Sequence, residues 1–166
     1  EKVIYNFPIA KVFEVCDASL SHLEKVKTST AMFGGDKAVY NAHPGQVYYI
    51  RDAVIQMLYT WDIYRYNNTG INFFNDSSLV FTLDVGGSRV MQFGDCGPQA
   101  TAVIEEIYTE KTLKSEFIQS AHHGYLGASV NLYNMVDGKV VMWTSTDYKV
   151  DIFRTEDVNK VLWNAP

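Results

Sequence analysis

Cysteine is scarce in this chain: Cys16 and Cys96 are the only two among 166 residues. Two thiols so far apart build neither a disulfide framework nor a cysteine-rich zinc site, although they are compatible with a single bridge. Dense cationic runs are missing as well. The 14 Lys and Arg residues are outnumbered by 19 Asp and Glu, for a formal charge of −5, which argues against strong nonspecific nucleic-acid binding by this segment. A phosphodiester substrate stays compatible with that charge, because a bound metal ion overrides the local sign. There is no apolar run of membrane-spanning length and no signal-peptide pattern. The chain begins at Glu1 and passes directly into the apolar run Val3-Ile4-Tyr5, which suggests a segment cut from a longer polypeptide. What is present is core material: 47% hydrophobic and 14% aromatic residues, enough for one packed globular domain over residues 1–166.

Periodicity predicts an α/β chain. Leu20, Leu23 and Val26 recur on one face of a helix over residues 18–33, with Asp17 and Ser19 as N-caps and Gly34-Gly35 as the stop. His22 falls off that stripe and reads as a solvated or capping residue. Residues 38–42, 46–50 and 53–60 read as strands, with His43-Pro44-Gly45 and Arg51-Asp52 as turns. Residues 61–75 form a long aromatic and Asn-rich connection, in which Tyr64, Tyr66, Phe73 and Phe74 could wall a site or cover a sheet edge. Residues 78–84 and 88–93 form a hairpin around Val85-Gly86-Gly87, with Leu79, Phe81 and Leu83 on one face and Val80 and Thr82 on the other. A helix over 99–109, a buried strand over 116–121, a helix over 129–135, a strand over 139–144 and a helix over 155–163 follow.

Two short strings carry the chemistry. Phe93-Gly94-Asp95-Cys96-Gly97 and Gln119-Ser120-Ala121-His122-His123-Gly124 each put a metal-competent side chain just past a strand. An aspartate and a histidine delivered to one rim of a sheet can converge on a cation, and zinc takes imidazole nitrogen and carboxylate oxygen readily. Taken singly, each string is also compatible with an ordinary turn. Cys96 reads as a small, partly buried residue beside Asp95 rather than a ligand.

Together with Asn75-Asp76-Ser77-Ser78-Leu79-Val80, these strings, in this order, resemble the second half of a metallo-β-lactamase-fold hydrolase. The closest likeness is to the hydrolase-like domain of bacterial competence DNA-uptake proteins, and it runs from about Gln46 to about Trp143. The resemblance implies a mixed sheet flanked by helices, half of an αββα sandwich, and a metal-dependent hydrolase that acts on phosphodiesters. It implies Asp95 and His122 as ligands of zinc or another divalent metal in the complete protein. His123 and Gly124 would lie at the second shell or substrate rim, with the two histidines interchangeable in role, and Asn75 or Ser77 would orient water or substrate. The family's main signature, His-x-His-x-Asp-His, is absent, since His22, His43, His122 and His123 are the only histidines. The chain therefore supplies an incomplete site and is expected to be inactive alone. The other reading is a noncatalytic binding or scaffold domain that kept this fold and lost the metal. A half-fold also leaves one apolar sheet face to be covered, by the N-terminal half of the parent fold or by a second copy.

Overall fold

The computed structural model describes residues 3–5, 24, 25, 28, 39–60, 73–155 and 157–163. The chain divides into two compact units, residues 1–43 and 44–166. In the first unit, β1 (Val3–Tyr5) and β2 (Val39–Asn41) pair in parallel, with Val3 opposite Val39. Of the helix expected over 18–33, Glu24, Lys25 and Thr28 are helical, and the Thr28 hydroxyl donates to the Glu24 carbonyl at 2.8 Å. His22, Cys16 and the proposed caps lie outside the described residues, as do Tyr64 and Tyr66.

The second unit is a mixed six-stranded sheet with helices packed on it, the α/β class expected. Its strands are β3 (Val47–Ile50), β4 (Ala53–Tyr59), β5 (Val80–Val85), β6 (Ser88–Gln92), β7 (Phe117–Gln119) and β8 (Val140–Met142), lying in that order across the sheet. From β3 to β6 the strands run antiparallel as a meander. From β6 to β8 they run parallel, so the two crossovers need helices to return the chain. These are α2 (Pro98–Ile107), a short α3 (Glu110–Leu113) and α4 (Val130–Val136). A four-residue turn of helix, α1 (Phe73–Asp76), precedes β5, and α5 (Asp147–Phe153) and α6 (Asp157–Trp163) follow β8.

The β5–β6 hairpin forms where Gly86 and Gly87 supply positive φ values of 59° and 84° for its two-residue turn. Its two faces differ from what hydrophobicity alone predicts. Val80 and Thr82 are fully buried, whereas Leu79, Phe81 and Leu83 are half-buried. The helices chose the first face: Val80, Met91, Phe93 and Ile118 join Val103 and Ile104 of α2, Leu132 and Val136 of α4 and Leu162 of α6 in one core. On the other face the register aligns Ile55, Leu83, Val90, Phe117 and Val140 as an apolar row across five strands.

Several boundaries move. The helix expected over 99–109 starts at Pro98, the favoured first helical residue, and ends at Ile107. Tyr108 turns extended there (φ −112°, ψ 153°) and its hydroxyl donates to the Leu58 carbonyl at 2.6 Å. The strand expected to reach Ala121 stops at Gln119. Helix α5 was not read from the sequence at all, because none of its side chains is buried and it shows no apolar stripe.

Candidate functional site

Strands β6, β7 and β8 are parallel, so their C-terminal ends share one rim of the sheet, the usual place for a site in such an arrangement. Asp95 follows β6, His122 and His123 follow β7, and Thr144 follows β8. The rim is therefore assembled from three consecutive strand ends.

The Gly94–Asp95 segment is held by side chains from two directions. Gln119, at the end of β7, accepts from the backbone N–H groups of Phe93 and Gly94 at 3.0 and 2.8 Å. Ser78 Oγ accepts from the Asp95 N–H at 3.3 Å. Gly94 in turn accepts from the His122 N–H at 2.9 Å, which ties the aspartate loop directly to the histidine turn. Gln119 and Ser78 were not singled out in the sequence, although a glutamine in an otherwise apolar strand is a legible signal, since a buried amide needs partners.

The histidine turn, Ala121–Gly124, is left-handed. His122 has φ 47° and ψ 45°, His123 has φ 57° and ψ 16°, and Gly124 has φ 85°. For non-glycine residues this region costs about 1–2 kcal/mol each, and such outliers persist only where surrounding structure over-determines them. Gly124 meets that demand without a Cβ. A methyl group there would fall 2.2 Å from Trp143 Cζ3.

The two imidazoles face different partners. His123 Nε2 lies 3.5 Å from Asp95 Oδ1, and its Nδ1 lies 2.8 Å from the Thr144 carbonyl. Only an N–H can bond a carbonyl, so the Thr144 contact is made by a proton on Nδ1, and Nε2 is the ring nitrogen that faces Asp95. His122 Nε2 instead meets Asn75 Nδ2 at 3.0 Å, and its ring packs edge-on against Tyr125, with centroids 5.7 Å apart. Ser77 is half-buried in the same segment as Asn75.

Asp76 does something the sequence did not announce. It is fully buried, and its Oδ1 accepts from the N–H groups of Gln99 and Ala100 at 2.9 and 3.1 Å, capping α2 from outside the helix where Gly97 offers no side chain. A Cβ on Gly97 would fall 2.8 Å from that same oxygen. The Tyr59 hydroxyl donates to the Asp76 carbonyl at 2.7 Å. Asp76 thus joins the segment bearing Asn75 to the loop that follows Asp95. Cys96 is fully buried, and burial first, then the neighbouring Asp76 carboxylate, push its thiol pKa up. A thiol so placed stays protonated and is a poor metal ligand.

The donor set fits a cation in spacing and falls short in number. Two atoms bound tetrahedrally at ~2.1 Å lie about 3.4 Å apart, close to the 3.5 Å between Asp95 Oδ1 and His123 Nε2. Among the described residues no group of three or more His, Cys, Asp or Glu side chains converges, whereas a catalytic zinc takes about three protein ligands. No catalytic step through a metal is built from these residues alone.

No protein family and no curated protein matches the chain by sequence. Among solved structures, the chain is similar to a candidate Zn-dependent hydrolase of the metallo-β-lactamase superfamily from Thermotoga maritima, at 17% identity and a TM-score of 0.43, over 75% of this chain and 65% of that one. It is also similar to the metallo-β-lactamase-fold protein YhfI from Bacillus subtilis, at 10% identity and a TM-score of 0.43, over 93% of this chain and 71% of that one. The chain thus spans about two thirds of the length of each.

Proposed function

We propose that this chain supplies part of the metal site of a metal-dependent hydrolase acting on phosphodiesters, with Asp95 and an imidazole of the His122–His123 pair as ligands, and that it is inactive alone. The observation that carries the reading is the approach of Asp95 and His123 at 3.5 Å on a shared strand-end rim. The His123–Thr144 contact supports it further, because metal-bound histidines characteristically donate their second ring N–H to a carbonyl or carboxylate. When bound, zinc or another divalent cation would lower the pKa of a bound water and polarise the scissile group. The chain's own residues orient: Gln119 and Ser78 fix the aspartate loop, and Thr144 fixes the ring of His123. The remaining ligands would come from outside the described residues. The apolar row from Ile55 to Val140 is the face on which the rest of the fold, or a second copy, would pack.

Zinc titration by calorimetry tests the reading. Asp95→Ala and His123→Ala are each expected to weaken zinc binding by at least about tenfold, the scale of losing one ligand or its support. Unchanged binding in both variants would defeat the metal reading. The second reading, a noncatalytic domain of the same fold, is favoured by the Asn75 amide, which lies against the His122 ring, 3.0 Å from Nε2 and 3.4 Å from Nδ1. It gains if partner binding proves independent of zinc.

A further inference from the structure

Asn159 sits in the middle of α6 and is 1% exposed, a position where a helix packed on a core ordinarily carries an apolar residue. Leu162, one turn later, is such a residue and belongs to the core. The Asn159 amide is instead committed to two backbone carbonyls. Its Nδ2 donates to Gly124, 35 residues earlier, and to Phe153 at 2.9 Å. Gly124 closes the left-handed histidine turn, and Phe153 closes α5. Gly124 also lies against the Trp143 ring with no room for a Cβ. The turn is therefore held at Gly124 by two residues. A core-filling role does not explain the choice of residue, because burying an amide costs free energy unless its groups find partners, and Asn159 Oδ1 is buried with none. The demand comes from the Gly124 carbonyl, which the turn's geometry directs into the core.

We infer that Asn159 is a positioning residue: its amide holds the left-handed His122–His123–Gly124 turn and so sets the orientation of both imidazoles. Metal binding enters only the last of three readouts below, and that one rests on the function proposed above.

The test compares Asn159→Ala with Leu162→Ala in the full chain. The second variant removes core packing from the same helix and none of the hydrogen bonds to the turn. The imidazole nitrogen signals of His122 and His123 are recorded by NMR in metal-free protein at one fixed pH, together with hydrogen exchange of the Tyr125 amide, which donates to the His122 carbonyl at 2.8 Å. Asn159→Ala is expected to shift both imidazole signal sets and to speed Tyr125 exchange at least about tenfold over Leu162→Ala, the scale of one lost hydrogen bond. Zinc affinity should fall at least about fivefold in the same variant. Leu162→Ala should lower Tm and leave the imidazole signals in place. Should Asn159→Ala fail to fold, Asn159→Ser is compared in the same way. Identical imidazole signals and Tyr125 exchange in the two variants would overturn the inference. If the unsubstituted chain binds no zinc, the metal reading fails alone, and the two metal-free readouts still decide the role of Asn159.

Discussion

At Gly124 a methyl group has nowhere to go. The backbone is left-handed and the Trp143 ring occupies the space a Cβ would need, so conformational cost and overpacking act on one atom. Gly124→Ala is expected to lower stability by about 2–5 kcal/mol, summing the cost of a side chain at positive φ with a core overpacking penalty, as read by urea denaturation. The neighbouring histidines hold comparable φ values with full side chains, which indicates that their position is worth the strain they carry. The contacts around them explain how the strain is tolerated: Gly94 and Asn159 each bond the turn's backbone, and Asn75 and Thr144 each bond one ring. These four residues lie far from the turn in the chain, so spacing in the sequence could announce the histidines but not what holds them.

Element by element, legibility followed local pattern. The β5–β6 hairpin could be read because its glycine pair and alternating residues are adjacent. Helix α5 could not, since Asp147, Lys149 and Asp151 interrupt any stripe and nothing on it is buried. The start of α2 was signalled by Pro98, but its cap was hidden, being delivered by Asp76 across 23 residues. That cap gives an element-scale prediction. Asp76→Ala should destabilise the chain by about 1–2 kcal/mol, the value of a lost helix cap, with the N-terminal turn of α2 exchanging its amides faster. Asp76→Asn keeps an acceptor oxygen and should recover much of that loss. Equal unfolding midpoints for the Ala and Asn variants would show that the carboxamide oxygen does not replace the carboxylate there.

Across the second unit as a whole, the helices bury one face of the sheet and the other carries the row Ile55, Leu83, Val90, Phe117 and Val140. Val140 is exposed and the other four are half-buried; on the reading proposed above, in which this face packs on the rest of the fold or a second copy, the chain is expected to self-associate. Leu83→Glu, at the centre of the row, should shift it toward the monomer by sedimentation velocity with little loss of helical circular dichroism; an unchanged distribution would remove the row from consideration as an interface. The grip of Asn159 on Gly124 also bears on biosynthesis. Strands β3 to β6 pair with their immediate sequence neighbours and can zip together as each leaves the ribosome. The histidine turn emerges well before α6, and its last restraint arrives only when Asn159 clears the exit tunnel. A nascent chain therefore carries the histidine turn without its Asn159 hydrogen bond for the whole interval in which α4, β8 and α5 are made.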